Sequence, residues 1–267
     1  MNRSRMTSAL RTRRAFAQGL LNLLLAPALP ALAEEPVTVL RTAAQDSAPV
    51  KYASGNPARP GLCAELLQAI ERLDPTLHFS GQGRLMPLRR IERMLAQREI
   101  DVFLCLIRSP ERQRHWDYLP VPLYPIRHRV VQRSDDATDL AGWPELRELG
   151  RRKPVLVAQG SVLAYALNEA QVPHSDAART DAEALRMLLL GRTDAVYAQD
   201  MALLPLLREP EFAGRLRLAP MVFQEEAQYA AVARGLNPAI AQRLTRALQT
   251  LEREGRLRAL AEKYRQP

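Results

Sequence analysis

The chain has 267 residues, 47% of them hydrophobic, with 38 basic and 29 acidic side chains and a net charge of +9. That length allows one large or two small cores, and this composition excludes disorder as the default state. The charge excess is local: five arginines lie in the first 33 residues, which hold no acid, and without them 33 basic residues face 29 acidic ones, a net of +4.

The chain begins with Arg3, Arg5, Arg11, Arg13 and Arg14, then a leucine-rich run from Leu20 to Leu25, then Ala31-Leu32-Ala33. A basic start, a short apolar middle and an A-x-A ending make a secretory signal peptide over residues 1–33, cleaved near Ala33. Pro27 and Pro30 break the apolar run, which is too short to span a membrane. Thr12-Arg13-Arg14-Ala15-Phe16 also fits a twin-arginine signal, so the export route stays open. The mature chain has no Lys/Arg-rich block, which excludes a nucleic-acid footprint. It is expected to be soluble, exported to the periplasm and monomeric.

Val37 to Thr42 reads as a β-strand. A helical period follows Pro60-Gly61 at Leu62, Leu66, Leu67, Ile70 and Leu73. Leu77 to Phe79 is a strand, and Pro87 opens a helix carrying Leu88, Ile91, Met94 and Leu95. Asp101 to Ile107 is a buried strand. The order recurs with a strand at 154–158, a helix at 161–170, a brief strand at 172–174, a helix at 181–190 and a strand at 194–198. Two β-α-β-α-β units predict two α/β lobes with mostly parallel sheets. Extended stretches at 118–132 and 227–233 predict a two-crossing hinge, and the terminal helices return to the first lobe. The predicted lobes are 34–124 completed by 228–267, and 125–227.

In such sheets ligands bind beyond the carboxyl ends of strands. After Ile107 come Arg108, Ser109, Pro110 and Arg112: Ser109 is an N-cap, Pro110 a first helical residue, and Arg112 a planar fork suited to a carboxylate. Gly160 and Ser161 follow the second strand as a tight turn and a cap. Asp200 follows the third, either as a cap or as an acceptor for a ligand ammonium. These ends converge on one predicted cleft with an arginine on one side and an aspartate on the other. Cys63 and Cys105 read first as buried thiols acting as small apolar residues, while an oxidising compartment also permits a disulfide between them. No metal-ligating cluster, cofactor motif or nucleophile elbow is present in the sequence, so no cofactor, metal site or catalytic residue is expected.

Several short stretches together resemble a known family. They are Gly61-Leu-Cys-Ala-Glu-Leu-Leu-Gln-Ala-Ile70, Ile100-Asp101 leading to Ser109-Pro-Glu-Arg112, Gln159-Gly-Ser161, Gly191-Arg-Thr-Asp-Ala-Val196 with Asp200, and Leu251-Glu-Arg-Glu-Gly-Arg-Leu257 to Tyr264. Over residues 36–265 the chain resembles the family 3 extracellular solute-binding proteins, the polar-amino-acid-binding components of bacterial ABC importers. The resemblance implies a two-lobed periplasmic-binding-protein-like fold of type II that closes on its ligand by a hinge. It implies that Arg112 grips the solute carboxylate, that Ser161 helps and that Asp200 takes the amino group. Asp46 belongs to the first ligand loop. Where the family carries aromatic plates this chain has Ser47 and Leu88, so Tyr52 is expected to replace a lost aromatic. Arg90, beside Arg84 and Arg89, is expected to add positive charge at the rim. The implied partners are a small carboxylate solute and an inner-membrane ABC permease. The alternatives are a dehydratase of the cyclohexadienyl or prephenate type on the same fold, and a ligand-sensing partner of a membrane receptor.

Overall fold

A computed structural model describes residues 37–265 except 47 and 54–56. The expected signal peptide and Ser47 lie outside the described residues. The first half contains β1 (Thr38–Arg41), β2 (Ala44–Gln45), α1 (Leu62–Leu73), β3 (Leu77–Ser80), β4 (Leu85–Met86), α2 (Leu88–Ala96), β5 (Val102–Ile107) and α3 (Pro110–Gln113). β1 pairs in parallel with β3, and β2 with β4. All six residues of β5 are buried, as expected of a strand covered on both faces.

The chain then passes through β6 (Asp117–Tyr118) into the long strand β7 (Tyr124–Arg133). It continues through α4 (Trp143–Arg152), β8 (Val155–Ala158), α5 (Leu163–Glu169), β9 (His174–Ala178), α6 (Asp181–Leu189), β10 (Val196–Gln199), α7 (Asp200–Leu206), β11 (Leu216–Leu218) and β12 (Gln224–Val232). It ends in α8 (Pro238–Arg253) and α9 (Arg256–Arg265). β8 pairs in parallel with both β9 and β10. α9 packs on α1 and α8 and also meets α7 and β7, within a two-lobed α/β architecture.

The pairing is more mixed than the β-α-β-α-β order implies. One eight-stranded sheet runs in the order β5-β12-β7-β10-β8-β9, with β6 and β11 attached at its sides. β7 pairs antiparallel with β12 at 124–128 and with β10 at 128–131. β12 then pairs antiparallel with β5. The two crossing strands are long enough to join the β-structure of both halves. One large apolar cluster includes residues from both, and a second, around Leu185, Val196 and Phe212, belongs to the later half.

Two local features bear on the site. α1 has no side-chain cap; its first N–H groups instead donate to the carbonyls of Val50 (from Leu62, 3.0 Å) and Lys51 (from Cys63, 3.0 Å). Gly61 makes this possible: its φ is +106°, and a Cβ there would stand 2.3 Å from the Lys51 carbonyl oxygen. The second feature is a bulge in β5. The step from Leu106 to Phe103 faces the shorter step from Tyr229 to Ala231 on β12, and Cys105 adopts φ +65°. The extra residue turns a carbonyl out of the ladder.

Cys63 and Cys105 form a disulfide, with Cα atoms 6.2 Å apart. This corrects the reading of them as separate buried thiols. Sequence spacing could not show it, because the α1 face and the β5 bulge meet only after folding.

Candidate functional site

A cleft of about 590 Å³ lies beyond the ends of β5, β8 and β10. Arg112, Gly160, Ser161 and Asp46 line it. Ser109 caps α3, its Oγ accepting from the Arg112 N–H at 3.3 Å, and lines a second cavity adjoining the first. Ser161 Oγ accepts from the Leu163 N–H at 3.2 Å, at the entry to α5. Gly160 has φ +70°, a left-handed conformation that favours glycine, and an added Cβ would stand 2.7 Å from Nε of the exposed Arg89 side chain that crosses the β8–α5 turn. Arg89 also reaches within 3.9 Å of Asp176 on β9.

Arg112 is buried and already engaged. Its Nε and one terminal nitrogen donate to Glu92 Oε1 at 2.9 and 2.5 Å, and the other terminal nitrogen donates to the Ile107 carbonyl at 3.0 Å. Arg112 lies in α3, past the end of β5, and its fork is braced by a carboxylate of α2.

Three expected residues lie elsewhere. Tyr52 is a core side chain: it is 4% exposed, its ring stacks on Phe103 at 6.0 Å, and its hydroxyl donates to the Leu104 carbonyl. This corrects the expectation that it replaces an aromatic plate; an apolar ring next to the β5 bulge gains more by burial than by facing the cleft. Arg90 is solvent-exposed on α2, next to Arg89, and lines neither cavity. Asp200 is buried and turned into the crossing strands. Its Oδ1 accepts from the backbone N–H groups of Arg127 (3.1 Å) and Met201 (2.8 Å), and Arg265 Nε stands 3.9 Å from its Oδ2.

Other residues line the cleft that the sequence reading passed over. Lys51 is 9% exposed, and its Nζ donates to the Cys105 carbonyl at 2.9 Å, the group that the bulge presents. Burial, with Arg112 nearby, pushes its ammonium down to about 7, while Asp181 across the cleft opposes that shift. Asp181, in the first turn of α6 beside the Thr180 cap, is held up at about 6 by burial, against the pull of Lys51. Gln228 on β12 is fully buried and donates to Gln199 Oε1 at 3.4 Å. The signals were faint. Lys51 is a lone charge between Val50 and Tyr52, and Asp181 resembles any acid at a helix start. Behind the cleft His128 is 1% exposed; its Nδ1 shares a 2.9 Å hydrogen bond with the Tyr197 hydroxyl, and burial pushes its imidazole down to about 4. Among the described residues no group of His, Cys, Asp and Glu is arranged to hold a metal ion.

The profile of the bacterial extracellular solute-binding proteins, family 3, matches residues 40–267. The chain belongs to this family. It is a solute-binding protein with a periplasmic-binding-protein-like fold. Among solved structures it is similar to a histidine kinase sensor domain with similarity to periplasmic binding proteins (21% identity, 86% of this chain and 96% of that one, TM-score 0.71). It is similar to an ancestral arginine-binding protein bound to glutamine (20%, 85% and 97%, TM-score 0.68). A third is a putative binding component of an ABC transporter from Wolinella succinogenes, complexed with lysine (16%, 86% and 96%, TM-score 0.69). No curated protein sequence is similar enough to count as a match. At these identities the structural likenesses speak for the fold.

Proposed function

We propose that this protein is a periplasmic binder that captures a small carboxylate-bearing solute, an amino acid or a close relative, and passes it to the inner-membrane permease of an ABC importer. The observation that carries this reading is the cleft, with Lys51 and Arg112 buried on one side and the Gly160–Ser161 turn and Asp181 on the other. A low-dielectric cleft that holds buried cations favours a solute anion. Family membership and the relatives that carry glutamine or lysine support the same solute class. In this reading residues 1–33 direct export, lobes 34–124 with 228–267 and 125–227 close on the solute, and the protein binds rather than turns over.

The test is a thermal-shift screen of the purified protein against amino acids, dicarboxylates, opines and prephenate. A solute at a hundredfold its Kd adds about 2.7 kcal/mol of stability, or about 5–10 °C for a chain of this size. A shift with an amino acid supports the reading. Silence across the panel, or consumption of prephenate, overturns it. The likeness to a kinase sensor domain favours one second reading, that the liganded protein signals to a membrane receptor. A deletion strain with intact uptake but lost solute response would select that reading.

A further inference from the structure

We propose that Lys51 is a nucleophilic amine, and that the cleft captures a carbonyl-bearing acid, an α-keto or aldehydic carboxylate, as a reversible imine on its Nζ. This rests on the reading of the cleft as a solute site and adds a covalent step to it.

The sequence sets this residue apart. Three of the 38 basic residues are lysines, Lys51, Lys153 and Lys263, and the rest are arginines. An arginine does not release its proton near neutral pH, whereas a buried lysine does. Lys153 pairs with Asp194 at 3.2 Å and Lys263 with Glu65 at 2.6 Å, and both side chains are partly exposed. Lys51 is 9% exposed, lines the cleft and makes no ion pair among the described residues.

Its nitrogen is held in place. The backbone carbonyl of Lys51 accepts the Cys63 N–H, and its Nζ donates to the Cys105 carbonyl at 2.9 Å. In the neutral amine that bond uses one N–H and leaves the lone pair for attack. A lysine becomes a nucleophile when it is desolvated or set beside another cation. Both conditions are met here: burial first, and then Arg112, push the ammonium down to about 7. Three of the five guanidinium N–H donors of Arg112 are spent on Glu92 and the Ile107 carbonyl, which leaves two for a carboxylate beside the amine.

The step balances without an oxidant or reductant. The Nζ lone pair forms the C–N bond as the carbonyl π pair moves to oxygen, and a proton passes from nitrogen to that oxygen. The carbinolamine then loses its hydroxyl as water, which takes one further proton. Amine, carbonyl and one proton have become an iminium and water. The iminium keeps one N–H, which stays on the Cys105 carbonyl. Asp181, across the cleft and within electrostatic reach of Lys51, supplies the proton and then faces the cation as a carboxylate. Val50, Leu88, Leu106 and Val162 line the walls beside them and limit the water that would hydrolyse the iminium.

The experiment incubates purified wild type and Lys51→Arg with pyruvate or glyoxylate and cyanoborohydride, which reduces an imine to a stable secondary amine. Peptide mass mapping locates the adduct, and a circular-dichroism melt checks that the variant folds. The expected result is an adduct on Lys51 that forms about tenfold or more faster than on Lys153 or Lys263. Its rate should saturate with pyruvate concentration and slow with excess lactate, which lacks the carbonyl. It should rise with pH through about 7, rather than toward the ordinary lysine value of 10.5. Lys51→Arg keeps the charge but forms no imine, and should remove the adduct. The inference is overturned if Lys51 is labelled no faster than the other two lysines, if its labelling never saturates, or if Lys51→Arg carries the same adduct. If Lys51→Arg does not fold, the wild-type map, its saturation and its pH dependence decide. An amino-acid hit in the thermal-shift screen with an unlabelled Lys51 overturns the imine and keeps the solute reading. A silent screen with a saturable adduct on Lys51 keeps the imine and overturns the amino-acid class.

Discussion

His128 shows how one side chain at the crossing strands sets a pH limit on the fold. Its ring is fully buried beside Tyr197, 3.8 Å from the Glu226 carboxylate, and burial lowers its pKa from 6.5 to about 4. Between those values the unfolded chain holds a proton that the folded chain has released. Stability from this group is therefore complete above 6.5 and is lost as pH falls through 4. The amount is about 3 kcal/mol. Urea unfolding of wild type and His128→Gln at pH 4 and pH 7.5 tests this: the variant should lose about 3 kcal/mol less on acidification, and equal losses would remove His128 from the acid limb. Single residues were also where the sequence was least informative. Ser109 as a cap and Gly160 as a tight turn follow from local rules that need only their neighbours. Lys51, Asp181 and Gln228 come from three separate elements, and nothing in their flanking residues says that the fold points them at one space. Tyr52 shows the converse, a residue placed by its neighbours in sequence but drawn into the core by Phe103.

Among elements, the junction of α1 and β5 carries the most consequence for its size. The disulfide closes a loop of 42 residues, which in the chain-entropy account stabilises by about 4 kcal/mol. Replacing both cysteines by alanine should lower Tm by about 8–16 °C. Because Lys51 is bound to both cysteine backbones, the same variant should also weaken the best solute several-fold; a lower Tm with unchanged Kd would show the disulfide to be a staple only. The helices α1, α2 and α6 and the strand β5 were readable from periodicity because each buries one face or both within its own segment. α4 was not, since Trp143-Pro144 and three arginines mask a helix whose buried face is only Leu146, Leu149 and Gly150. The antiparallel role of β7 and β12 was equally hidden. Extended sequence says nothing of its partner, and pairing of 124–128 with 224–228 joins segments that lie far apart in the chain.

On the scale of the whole molecule, the contact between α2 and the second lobe tests whether capture depends on closure. Arg89 stands over Gly160 and 3.9 Å from Asp176, with both charged side chains more than half exposed. An exposed pair of this kind contributes little in water, about 0–1 kcal/mol. Its position gives that small energy a specific consequence. The contact joins the β8–α5 turn and β9 to α2, and under the proposed closure of the lobes on a solute it forms only in the closed state and is absent from the encounter with an open cleft. Arg89→Ala should therefore leave the association rate within experimental scatter and raise the dissociation rate about two- to fivefold, as affinity changes within one interface fall mainly on release. Stopped-flow mixing with the best solute of the screen, at low and at high salt, measures both rates. High salt should raise the wild-type dissociation rate toward that of the variant, since screening acts on exposed charges. A variant with slower association and unchanged release would place Arg89 on the entry path of the solute, and the lobes would then need another contact to hold them shut.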